Sequence, residues 1–241
     1  MRRIHLAWAL AAAWGALVAA APANESDAST KETRAMMHAY AKCVVKRQGA
    51  KASEALLADI DNSEILRRYR MLVIGDCLAR QVVSTTRMRF GGDLYRYALA
   101  DALVNAEFAN KPPIDVELLP RLEQRKAGEP PRETGPDGKK LSKRKYQEAL
   151  DDYHQSVGYS FLANYGECIV RLNAPAAHAL LLTEPDSTEE SARFAALKPA
   201  LANCLPEGQT LRFGKVSLRG SIAVNYYRLA HSSPAAGRAA G

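Results

Sequence analysis

Apolar residues recur along this chain at intervals of three and four, and no run of alternating β-branched residues interrupts them. That spacing predicts amphipathic helices rather than strands. Met36, Tyr40, Cys43 and Val44, with Arg47 at the end, trace the stripe of a first helix. Ser53 opens a short second helix carrying Leu56, Leu57 and Ile60. Asp61-Asn62-Ser63-Glu64 has the D-x-x-E form of a helix start, followed by the stripe Ile65, Tyr69, Leu72, Val73 and Cys77. After Gly91-Gly92-Asp93, residues Leu94, Ala98, Leu99, Ala102 and Leu103 share one face of a fourth helix.

The pattern then returns. Tyr40 to Lys46 (YAKCVVK) reappears as Tyr165 to Arg171 (YGECIVR), and Leu56-Leu57 as Leu181-Leu182. Asp61 with Glu64 reappears as Asp186 with Glu189, and Cys77-Leu78 as Cys204-Leu205. Met88-Arg89-Phe90-Gly91 reappears as Leu211-Arg212-Phe213-Gly214, followed by Arg96 or Arg219 and Ala100 or Ala223. The order is kept and the offset stays between 123 and 127, so we read an internal duplication with short loop insertions. In the second copy Ser187-Thr188-Glu189-Glu190 is a capping box, and Phe194, Leu197, Leu201 and Cys204 form the stripe. Pro199 should break or kink that helix, having no N–H and clashing with the preceding turn.

Between the copies, residues 110–140 hold six of the twelve prolines and Gly128, Gly135 and Gly138. Ile114 to Leu122 reads as a short helix, and residues 125–140 as an exposed, mobile linker with a turn at Pro136-Asp137-Gly138. Leu141-Ser142 then starts a long helical stretch through Tyr146, Leu150, Tyr153 and Phe161. The segments are a leader at 1–23, a helical unit at 24–109, the linker at 110–140, a second unit at 141–230 and a disordered tail at 231–241. The expected fold is all-α: two related disulfide-closed helical units in tandem.

A chain of 241 residues, 47% hydrophobic and 24% charged, is neither collagen-like, wholly disordered nor a multi-span membrane protein. Arg2 and Arg3 precede an apolar run from Ile4 to Ala21, interrupted by His5, and Ala21-Pro22-Ala23 forms a cleavage site, with Val18-Ala19-Ala20 a competitor. This is an export signal, which places the protein in the periplasm or outside the cell. The rival is an uncleaved anchor, which the alanine-rich composition makes a weak span. Cleavage after Ala23 lowers the formal charge from +7 to +5 and removes Trp8 and Trp14, the two tryptophans.

Export to an oxidising compartment turns four cysteines into candidate disulfides. Of three pairings the duplication favours Cys43–Cys77 and Cys168–Cys204, one per unit. A zinc site lacks the usual C-x-x-C spacing, and free or catalytic thiols are the remaining reading. No local catalytic motif stands out. Ser142-Lys143-Arg144-Lys145 matches S-x-x-K without its supporting motifs, so Ser142 reads as a helix N-cap. His38, His154, His178 and His231 are isolated and read as helical surface residues. Asp151-Asp152 and Glu189-Glu190 are neighbours pointing apart on a helix, read as solvated or as caps. No catalytic, cofactor or metal residue is assigned.

Two basic features carry more weight. Lys139, Lys140, Lys143, Arg144 and Lys145 form either a solvated helix start or a contact for an anionic envelope component. Nucleic acid is disfavoured by the export signal and the lack of interleaved aromatics. Arg89/Arg212 and Arg96/Arg219 recur in both copies, which suggests arginines covering helix ends, with anion binding as the sharper alternative.

The Cys-Val-Val, Leu-Leu, acidic cap, Cys-Leu and Arg-Phe-Gly series resembles a set of uncharacterised exported bacterial proteins with duplicated two-cysteine helical units. The resemblance covers about residues 36–104 and 161–229 and implies the architecture alone. The expected function is a non-catalytic binding or protein-interaction module of the cell envelope. Its partner would be a protein or an anionic envelope component, with no nucleic acid and no stable membrane span after cleavage. The alternatives are an envelope hydrolase built from distant segments and a carrier of a small apolar ligand.

Overall fold

Lys31–Leu57 form helix α1 in the computed structural model, which describes residues 31–79, 92–208 and 213–232. The leader, Arg89, Arg212 and residues 233–241 lie outside the described residues. The other helices are α2 (Asn62–Arg68), α3 (Gly75–Ala79), α4 (Leu94–Phe108), α5 (Lys143–Leu172), α6 (Ala174–Leu181), α7 (Thr188–Ala196), α8 (Lys198–Cys204) and α9 (Lys215–Ser232). The described residues contain no strand beyond an isolated bridge between Thr134 and Lys140.

Side-chain caps set the starts of α2, α5 and α7. The Glu64 amide donates to the Asp61 side chain (2.8 Å), Lys145 to Ser142 (3.4 Å) and Glu190 to Ser187 (3.0 Å). These satisfy N–H groups that a first turn leaves without intrahelical acceptors. Asp61 and Ser187 are therefore the matching caps, one position away from the sequence pairing of Asp61 with Asp186. Pro199 is the second residue of α8, and the stripe through Phe194 and Cys204 is broken at Leu197 as its presence demands.

Several helices differ from their sequence reading. The second helix does not begin at Ser53; α1 continues through it and kinks at Gln48 (φ −135°, ψ 34°). Asn173 (φ −154°, ψ 70°) separates α5 from α6 at the matching place. The stripe from Ile65 to Cys77 is not one helix but α2, a 3-10 turn at Arg70–Leu72 and α3, because Tyr69 and Val73 leave helical geometry. Ile114 to Leu122 is not helical either. Pro112, Pro113 and Pro120 cannot donate backbone hydrogen bonds there, and the segment lies as a strap with Ile114, Val116, Leu119 and Leu122 against the core. His231 belongs to α9 rather than to a tail.

Four helices carry the core in the spatial order α1, α4, α9, α5. The predicted single face of α4 is an underestimate: Tyr95, Tyr97, Ala100 and Val104 are buried too, and in α9 every residue from Ser217 to Leu229 is buried. A helix sequestered on all sides forms the centre of a bundle. Cys43–Cys77 ties α1 to α3 and Cys168–Cys204 ties α5 to α8, so the disulfides are intra-unit as expected. The buried residues of both halves form one cluster, and α4 of the first half packs directly on α9 of the second.

Candidate functional site

A cavity of about 60 Å³ opens between α1, α4, α9 and the loop leading into α7. Met37, Leu94, Tyr97, Ala98 and Val216 give it an apolar wall. Arg34 and exposed Lys215 lie at its solvent side, where Arg34 pairs with Asp186 through contacts of 2.5 and 2.6 Å. The lining also includes a charge cluster made of His38, Asp101, Glu190 and Arg219, all under 9% exposed.

Arg219 organises that cluster. Its Nε donates to Asp101 Oδ1 (2.9 Å). Nη1 reaches the Leu180 carbonyl (3.2 Å), Thr183 Oγ1 (3.1 Å) and Glu190 Oε1 (3.0 Å). Nη2 reaches the carbonyls of Leu181 (3.0 Å) and Thr183 (2.8 Å) and Asp101 Oδ2 (3.3 Å). The guanidinium thus covers the exposed carbonyls at the end of α6 and bridges α4 to α7, using its planar fork of donors. Both sides of the guanidinium are occupied, leaving no donor directed at an external anion.

Asp101 is met from its other side by His38 Nδ1 at 3.0 Å. Burial works to raise the Asp101 pKa, but the Arg219 cation and the His38 hydrogen bond outweigh it and hold the carboxyl below the usual range. His38 Nε2 is 3.3 Å from Glu184 Oε2 but out of line for a hydrogen bond, and is itself shut off from solvent. The Lys42 hydrogen bond lowers the pKa of Glu184 in turn.

Arg96, the counterpart of Arg219, is buried with Asp93, pairs with it and with half-buried Asp59, and leaves its Nε without an acceptor. Arg228 adds a contact of 3.2 Å to Asp59, and Arg125 of the strap reaches Asp93. Gln124 bonds Glu167 (2.9 Å) and Asn225 (2.7 Å), while Arg171 holds the strap carbonyls of Val116 (3.3 Å) and Leu119 (3.1 Å). The start of the expected linker is therefore pinned to the body of the bundle, while Gly128 to Lys140 is mostly exposed.

The reading of four surface histidines needs correction. His38 and His178 are buried; His178 stacks on Tyr226 and its Nε2 lies 3.0 Å from the Phe108 carbonyl. His231 is half-buried against Glu107 and Tyr227, and His154 alone is exposed. Of the two readings of Glu190, solvated or cap, the cap holds: its carboxylate accepts from the Asp186 amide (3.0 Å) and is also a buried partner of Arg219, whereas Glu189, Asp151 and Asp152 are exposed. Lys139, Lys140, Lys143, Arg144 and Lys145 are exposed, and Lys140 and Arg144 pair with Glu133 and Glu148.

Asp101 was missed as a site residue. Its signal was present: an acid in the middle of the apolar stretch from Leu94 to Val104 is costly to bury unless a cation faces it. Among the described residues, no group of three or more histidines, cysteines and carboxylates is arranged to hold a metal ion, and no helix is long and apolar enough to cross a membrane. No family model matches this chain, and no curated protein or solved structure is significantly similar to it.

Proposed function

We propose that this chain is an exported twin-unit protein, periplasmic or secreted, that acts as a non-catalytic binding module of the cell envelope through the cavity between α1, α4 and α9. The observation that carries this reading is the closure of the charge cluster beside an apolar wall. The Arg219 donors are directed at protein acceptors, and among the described residues no serine, threonine or cysteine lines the cavity. Such a pocket suits recognition of an apolar group, since its inner charges are paired with one another and Arg34 and Lys215 stand at the rim. The repeated disulfides, the matching breaks at Gln48 and Asn173, and the tyrosine hydroxyls of Tyr40 on the Ile74 amide and Tyr165 on the Leu201 carbonyl support a duplicated origin for the two halves.

A hydrolytic reading draws on the His38–Asp101 pair, which has the spacing of a base and its orienting carboxylate. Against it, His38 Nε2 is sealed from solvent and faces Glu184, so it has no route to a water or substrate proton.

Affinity capture from envelope extract, using the oxidised mature chain and an Ala98→Phe variant that fills the cavity, tests the proposal. A component held by the native chain and released by the variant supports it. Equal retention by both, or nothing above background, overturns it.

A further inference from the structure

Resting on the twin-unit reading, we propose that the cavity is a binding site for a para-hydroxyphenyl ring, supplied by a tyrosine side chain of a polypeptide or by a small free phenol. The argument comes from the corresponding place in the other half. The offset of 125 that relates the cysteine helices maps Arg34, Met37 and His38 onto Tyr159, Leu162 and Ala163. The offset of 123 that relates α4 to α9 maps Lys215 and Val216 onto Gly92 and Asp93.

There the chain fills the place itself. The Tyr159 hydroxyl stands where a Cβ on residue 92 would be, which only glycine permits, and Gly92 has φ +52°. A backbone hydrogen bond joins the phenolic oxygen to Asp93. On the cavity side, Arg34 stands in place of Tyr159 and turns to Asp186, so among the described residues no ring occupies the matching position.

The cavity has the contacts such a ring needs. Met37 offers a thioether and Tyr97 a ring, both of which associate with aromatic edges. Lys215 and the Asp186-paired Arg34 put cations at the solvent side, and a cation favours an aromatic face over a saturated ring. The small Ala98 side chain leaves room on α4, whereas the space over Gly220 is taken by the Tyr97 ring. By the same correspondence the incoming hydroxyl meets the amide of Val216 in the first turn of α9, where helical N–H groups lack intrahelical acceptors.

The test titrates the oxidised mature chain with p-cresol, with 4-methylcyclohexanol as the non-aromatic control, following backbone amide shifts. The expected result is saturable shifts at Ala98, Val216 and Gly220, with the control about tenfold weaker for lack of ring-specific contacts. Arg34→Tyr, which supplies the ring from the chain, should abolish binding; Ala98→Phe serves the same purpose if that variant does not fold. A short tyrosine-containing peptide binding more tightly than p-cresol identifies a polypeptide source, and weaker binding identifies a free phenol. Equal affinity for p-cresol and its control overturns the site. Tyr159→Ala opens the counterpart, and p-cresol should raise that variant's melting temperature. Rescue of this variant without binding to the native chain overturns the cavity assignment and leaves the twin-unit reading standing; absence of both overturns the two together.

Discussion

Tyr97 and Gly220 face each other where α4 crosses α9, so closely that a Cβ on residue 220 would fall inside the van der Waals shell of the Tyr97 ring. The two positions are 123 apart, the offset that also relates Arg96 to Arg219. Equivalent positions of the two halves therefore meet each other, as they do at the axis of a self-complementary dimer. One side of the crossing carries the ring and the other the space for it.

Gly220→Ala should accordingly be destabilising despite the better helix propensity of alanine. Overpacking of a buried contact costs about 1–3 kcal/mol. Gly158→Ala is the control: its Cβ meets nothing within 4 Å in the middle of α5, so it should stabilise by about 0.5–1 kcal/mol. Urea unfolding of both variants reads the difference, and opposite signs are expected.

Arg219→Met should cost about 3–5 kcal/mol, because it leaves the Asp101 and Glu190 carboxylates buried without their cation. Arg219→Lys keeps the charge but not the fork that reaches Leu180, Leu181 and Thr183, so its stability should fall between methionine and arginine. If lysine restored full stability, the carbonyl contacts at the end of α6 would carry no weight.

What was legible in the sequence follows from how local its cause is. Caps at Asp61, Ser142 and Ser187 and the break forced by Pro199 depend on a few neighbouring residues, and they stand where expected. The within-unit disulfides followed from the repeat. The strap from Ile114 to Leu122 was misread because Arg171, Glu167 and Tyr226, from 45 to 112 positions away, determine its path. His38 was placed at the surface, and Glu190 was legible as a cap but not as an ion-pair partner, because Asp101 and Arg219 come from other helices and, for His38, from more than sixty positions away. A buried ion pair leaves a trace in sequence only when both members are read together, and Asp101 on apolar α4 had been passed over.

Removing either disulfide by paired serine substitution should cost about 3–4 kcal/mol, the loop-closure value for separations of 34 and 36 residues. The two losses should be similar, since the loops are nearly equal. Peptide mapping without reduction should show Cys43 linked to Cys77 and Cys168 to Cys204. A marked asymmetry in stability would mean that one reduced half retains more residual structure than the other.

The proposed export and cleavage have an optical consequence. Both tryptophans lie before the proposed cleavage site at Ala23, so on this reading mature protein purified from the exported fraction should show tyrosine emission and no indole band. A tryptophan emission maximum in that material would mean that the apolar leader is retained as an anchor.

The depressed Asp101 carboxyl makes acid stability a direct readout of the buried cluster. Its folded pKa lies below its unfolded value of about 3.9. The stabilisation is therefore fully present above that unfolded value and is lost as pH falls through the folded one. Asp101→Asn removes the charge at every pH while keeping the side-chain shape. At neutral pH the variant should be less stable by about 3 kcal/mol or more, because Arg219 and His38 lose the carboxylate that faces them. The gap should start to narrow once the pH drops below about 4, where the unfolded chain's carboxyl takes up its proton, and close as the folded carboxyl follows at lower pH. Denaturant unfolding of both chains across pH 2 to 7 measures it, and a gap independent of pH would show that packing, rather than charge, is what Asp101 contributes.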